Sequence, residues 1–94
     1  MQIITSLASA RFRPASARAV VTHLSIGDVI ELEPDPFNEY DPQAVRCVFD
    51  AEHIGFIAKK DNPEIFAQLM LGDYLSAEII SFENALTPIL EINL

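Results

Sequence analysis

Ninety-four residues, half of them apolar and only three of them glycine, suffice for one modest hydrophobic core and exclude a disordered chain. No apolar run approaches the roughly 20 residues that span a bilayer, and Met1 to Ala10 lacks the basic start of a secretory signal, so residues 1–94 read as a single cytoplasmic domain. Fourteen acidic residues against six basic ones give a formal charge of −8, which opposes long-range attraction to nucleic acid.

In chain order, Gln2 to Phe12 predicts a first strand that runs through Ile3, Ile4 and Leu7 into Arg11, Phe12 and Arg13 before Pro14 stops it. Ala17, Val20, Val21 and Leu24 then fall at i, i+3, i+4 and i+7, with Ser16 available as an N-cap, which favours a short helix. The β-branched Val20, Val21 and Thr22 leave a strand open as the alternative. Gly27 and Asp28 end that element. Val29 to Glu33 alternates as a half-buried strand, with Ile30 and Leu32 facing inward.

Pro34, Pro36 and Pro42 fall within nine residues, and they fix φ and withhold amide donors through the segment that carries Phe37, Asn38, Tyr40 and Asp41. Two readings stand: an ordered binding loop, or a rigid turn whose aromatics cap the core, with Phe37 assigned as a core lid. Ala44 to Phe49 is the next strand, with Cys47 on its buried side and Arg46 pointing outward. Asp50 to His53 has the length of a hairpin turn into Ile54-Gly55-Phe56-Ile57. Gly55 marks a bulge or a close approach to the backbone.

Asn62-Pro63-Glu64 starts a second helix, with Asn62 as cap, Ile65, Phe66, Leu69 and Met70 as its buried face, and Gly72 as its left-handed end. Tyr74 to Phe82 and Pro88 to Leu94 are the last two strands, joined by a turn over Glu83 to Thr87. Ile26-Gly27-Asp28-Val29-Ile30 and Leu71-Gly72-Asp73-Tyr74-Leu75 echo one another, each following a helix and opening a strand. About six strands and one or two short helices make a mainly β, α+β chain. It suits a small six-stranded β-barrel of OB-like or SH3-like form.

The single Cys47 allows no internal disulfide, and His23, Cys47 and His53 are too scattered for a structural zinc site. Three prolines leave the loop little freedom to wrap a cation around Asp35, Glu39 and Asp41. No serine or cysteine has a recognisable base beside it and no glycine-rich phosphate loop is present, so neither catalysis nor a cofactor is expected. All six cations, Arg11, Arg13, Arg18, Arg46, Lys59 and Lys60, precede residue 61, and only acids follow. A local basic face can coexist with that acidic remainder. Lys59 and Lys60 lie just ahead of a helix start whose amides favour an anion, as a phosphate site or as a solvated pair.

With these elements placed, the chain resembles a HIRAN domain, the module found at the N-termini of some fork-remodelling Swi/Snf-class translocases and as small stand-alone proteins in bacteria and phages. The likeness rests on Gly27-Asp28 leading into Val29 to Leu32, then on Asp35-Pro36-Phe37-Asn38-Glu39-Tyr40-Asp41-Pro42-Gln43-Ala44-Val45, and on Ile54-Gly55-Phe56-Ile57 through Lys59-Lys60. It implies an OB-like barrel with added helices that binds single-stranded DNA and grips a free 3′ end, in DNA repair or replication-fork processing. Asn38, Tyr40 and Asp41 match its loop positions. Tyr40 would stack on a terminal base and Asp41 would accept a hydrogen bond from the 3′ hydroxyl, unless it is a turn acid bonding nearby amides. Arg11 and Phe12 match an arginine-aromatic pair on the first strand. Phe56 and Lys59 fall near a further contact, and Lys60 and Arg46 extend the basic set. An aromatic expected in the last turn is replaced, with Leu86 nearest to it. That loss and the net acidity motivate the alternative of a protein-interaction module that keeps the barrel and no longer binds DNA.

Overall fold

Six antiparallel strands close on themselves in the order β1-β4-β3-β2-β5-β6, in a computed structural model that describes residues 1–94. The strands are β1 Gln2–Ala8, β2 Val29–Asp35, β3 Ala44–Phe49, β4 Glu52–Ile57, β5 Ser76–Asn84 and β6 Thr87–Asn93. Two helices are added, α1 Ala15–Thr22 and α2 Asn62–Met70, with a single 3-10 turn at Ala10–Phe12. Closure removes the exposed edges that an open sheet would present.

Period-two alternation fixes the register wherever one face is buried. In β2, Ile30 and Leu32 point inward while Val29 and Glu31 face water, as expected. Val45 and Cys47 do the same from β3, and Ile79, Leu90 and Ile92 from β5 and β6. Ile65 of α2 and Val21 of α1 complete one core cluster of 16 buried residues. Burying each Leu, Ile or Val fully contributes about 1.5–3 kcal/mol. The one ion pair, Arg46–Glu33, has side chains 40% and 44% exposed and is worth at most about 1 kcal/mol. Apolar burial therefore sets the stability.

Several boundaries differ from the sequence reading, each for a local reason. The first strand does not run to Phe12. It ends at Ala8, because Ser9 turns left-handed at φ 66 and feeds the 3-10 turn. The next segment is a helix rather than a strand, and Ser16 does not cap it, since the helix begins at Ala15 after Pro14. The β3–β4 turn is only Asp50-Ala51, both at positive φ (49 and 63), the left-handed pair of a two-residue hairpin. His53 is thus already in the strand. At their turn β5 runs two residues further than expected and β6 starts one residue earlier, leaving Ala85-Leu86 as the connection, while β5 opens at Ser76 and not at Tyr74. Phe37 is not a lid: it is 96% exposed, because Asp35 to Asn38 form a tight turn, with the Asn38 N–H donating to the Asp35 carbonyl at 3.1 Å, and Phe37 sits at its tip.

The glycine echo holds only in its dihedrals: α1 already ends at Thr22, so Gly27 sits in a separate turn, and β5 opens at Ser76 instead of Tyr74. Gly27 and Gly72 have φ of 96 and 92, values that cost other residues strain. Gly72 ends α2 as a C-terminal cap, its N–H donating to the Leu69 carbonyl at 3.0 Å. Gly55 answers a different need. A Cβ there would stand 2.7 Å from the Ala8 carbonyl oxygen and 2.9 Å from Leu7 Cδ1, so its absence lets β1 close against β4.

Candidate nucleic-acid interface

The cross-strand register sets Glu33, Arg46, Phe56 and Ala8 in one row across β2, β3, β4 and β1. Glu33, Arg46 and Phe56 are each partly exposed, on the outward side of the barrel wall. Beside Ala8 and Phe56 the proline-rich loop and the start of α2 fold over the wall and enclose a cleft of about 240 Å³. Asn38, Tyr40, Asp41, Phe56, Lys59 and Asn62 line it.

Asn38 organises the loop. Its Nδ2 donates to Asp35 Oδ2 at 3.1 Å, and its Oδ1 accepts the N–H groups of Tyr40 at 2.9 Å and Asp41 at 3.0 Å. With its amide engaged on both sides, Asn38 shapes the loop while lining the cleft. Asp41 continues the scaffold. Its Oδ1 accepts the Gln43 N–H at 2.9 Å, and its Oδ2 accepts the Asn62 Nδ2 at 2.8 Å. The Asn62 amide, then the Gln43 N–H, hold this carboxyl below its ordinary 3.8, helped by the Lys59 charge and opposed by desolvation. Asp41 therefore does bond nearby amides. Each of its oxygens still keeps acceptor capacity, since a carboxylate offers about four lone-pair sites.

Tyr40 is 85% exposed, leaving its ring open to stacking. Phe56 is steadied by His53, whose ring meets it edge-on at 4.7 Å and 88°. Desolvation, then the Arg13 and Arg46 charges, hold His53 below its ordinary value, while its Nε2 lies 3.0 Å from the Gly55 carbonyl. The imidazole is neutral at pH 7 and supplies no cation.

Ala8 and Ser9 belong also to a second groove, of about 540 Å³, which runs along Arg11 and Phe12 to Leu86 on the β5–β6 turn. There the Arg11 guanidinium lies 4.7 Å from the Phe12 ring centroid. Both residues belong to the 3-10 turn that follows the left-handed Ser9, not to the first strand. The same turn brings Leu86 opposite the arginine-aromatic pair. Lys59 lines the first cleft and Arg11 the second groove, and the two share Ala8 and Ser9. Lys60 is exposed beside Lys59 but outside the lining, and Arg46 gives its Nη2 to Glu33 at 2.8 Å.

Asn62 is the site residue that the sequence concealed. It lies at the head of α2, only 3% exposed, and makes no cap bond. Its side chain turns back to Asp41, and the position before it in the chain is taken by Asp61, which accepts the Thr5 hydroxyl at 2.7 Å. An Asn ahead of Pro reads the same whether it caps or braces, so no local signal separates the two.

A closed antiparallel barrel with a half-apolar cleft draped over its wall defines a small β-barrel binding module, and no group of three or more His, Cys, Asp or Glu is placed to hold a metal ion. The chain belongs to the HIRAN domain family, whose profile matches residues 2–91. A solved protein from Lactobacillus plantarum has the same fold, with a TM-score of 0.84 at 18% identity over 98% of this chain and 93% of that one. The HIRAN domain of human HLTF superposes with a TM-score of 0.78 at 15% identity over 97% and 72%. None of the curated proteins matches. HIRAN domains are DNA-binding modules and not catalytic ones, so membership carries nucleic-acid binding at the level of the family. No helix is long and apolar enough to cross a membrane.

Proposed function

We propose that this protein binds single-stranded DNA without catalysing a reaction on it, and that the cleft receives a free 3′ end of the kind exposed at damaged DNA or frayed forks. The observation that carries this reading is the convergence of Tyr40, Asp41, Phe56 and Lys59 on one cleft from two separate segments. Tyr40 stacks on the terminal base, an interaction worth about 1–3 kcal/mol and indifferent to sequence. Asp41, preorganised by Asn38 and Asn62, accepts a hydrogen bond from the 3′ hydroxyl and repels a phosphate in the same place. Lys59 takes a backbone phosphate, and the strand continues over Ala8 and Ser9 to Arg11 and Phe12. With the other cations paired or outside the track, affinity depends on stacking more than on steering, and the salt dependence is shallow. Two phosphate contacts correspond to a slope of roughly −1.4 in log K against log salt.

Fluorescence anisotropy at low salt tests this with short strands ending in 3′ hydroxyl or 3′ phosphate. The hydroxyl strand binds at least tenfold more tightly, and Tyr40→Ala weakens it about 5- to 150-fold, the factor that corresponds to about 1–3 kcal/mol. Equal and negligible binding of all strands to both proteins would defeat the proposal and leave the protein-interaction alternative.

A further inference from the structure

The helix that braces the cleft with its first residue carries an unpartnered apolar face at its other end. Ala67, Met70 and the capping Leu71 lie on one side of its last turns, and Tyr74 follows two residues past the left-handed Gly72; all are exposed, Met70 by 55% and Leu71 and Tyr74 by 78% each. The buried face of α2 is a different stripe, centred on Ile65 with Phe66 and Leu69 beside it. Met70 was expected in that buried face and instead belongs to the exposed one. Exposed apolar side chains grouped in this way mark an interaction site.

The surroundings decide the partner. Glu64 and Asp73 flank the stripe and are exposed. From Asp61 to the end the chain holds six carboxylates and no Lys, Arg or His. The C-terminal end of α2, where the helix dipole is negative, has no basic residue in its last turn. We infer that this face docks a basic, amphipathic segment of another protein, whose apolar side chains cover Met70, Leu71 and Tyr74 while its lysines or arginines meet the acidic rim. A second copy of this chain is a poor occupant, because it would set the two acidic rims against each other. A nine-residue helix is about 13 Å long, so a segment at its far end leaves the cleft beside Asn62 free. The module then holds a nucleic acid and a protein at once, and the docking face stands independently of the strand-binding reading.

The test uses three synthetic 14-residue peptides on the full chain: leucines on one helical face with lysines elsewhere, the same composition with leucines dispersed, and the first pattern with glutamate for lysine. The dispersed peptide controls for simple attraction to a chain of charge −8. The amphipathic lysine peptide binds at least tenfold more tightly than either control. Its amide chemical-shift changes centre on residues 67–74, and Leu71→Ser combined with Tyr74→Ser removes at least tenfold of the affinity while leaving the melting temperature unchanged. Equal binding of the dispersed peptide, no binding of any peptide, a shift map centred elsewhere, or self-association that this double variant abolishes overturns the inference.

Discussion

Asn62→Ala is the most incisive perturbation of the loop. Wild-type Asn62 is 3% exposed and gives Asp41 a 2.8 Å hydrogen bond. Such a bond to an ionised group is worth about 1.5–3 kcal/mol, and the partly exposed carboxylate recovers some of this from water, which places the loss near about 2 kcal/mol. For a chain of this size that lowers the melting temperature by about 8–16 °C. The pH dependence follows from linkage. Asp41 is held below its ordinary 3.8 in the folded state, so its contribution is fully present above the unfolded value and disappears as pH falls through the folded one. Removing the Asn62 amide, the largest cause of the depression, raises the folded value toward 3.8. The gap between wild type and variant is therefore widest at neutral pH and narrows as the pH falls below 3.8. Thermal unfolding by circular dichroism at pH 7 and pH 2.5, with carbon NMR titration of the Asp41 carboxyl, measures both. A variant that melts within about 2 °C of wild type at pH 7, or a gap that ignores pH, would refute the bracing role.

Two further outcomes concern the barrel. Gly55→Ala forces a Cβ to 2.7 Å from the Ala8 carbonyl, where the neighbour is backbone and cannot swing aside. We expect a loss of about 2–3 kcal/mol by urea denaturation and faster exchange of the Ala58 amide, which bonds the Ser6 carbonyl. Wild-type stability would mean that β1 shifts freely off β4. Cys47 is completely buried and desolvation pushes its thiol far above the ordinary value. An aromatic disulfide reagent therefore modifies it only at the rate of unfolding, accelerating with urea. Prompt reaction of the native protein would contradict that burial.

The strands and helices were legible because local periodicity and caps encode them. Val29 to Glu33, Ala44 to Phe49 and the Gly72 helix end lie where the alternation and the glycine placed them. The pairing of Tyr40 with Asp41 on one loop was legible too, along with the family resemblance. Where the reading failed, the deciding contact lies far off in the chain or turns on one dihedral. Phe37 is apolar and looked buried, yet its turn aims it at water. Ser9 has no feature that announces a left-handed turn, and that single residue separates Arg11 and Phe12 from the first strand.

By itself the sequence determined a small barrel with an apolar interior, a stiff loop and a lopsided charge, because side-chain alternation, proline and composition act over a few residues. Only the tertiary structure decided that Asn62 holds Asp41 across 21 residues, that Leu86 faces Arg11 and Phe12, and that one stripe of α2 is left uncovered. Those relations depend on barrel closure, which sets the distances between segments that carry no trace of one another in the chain.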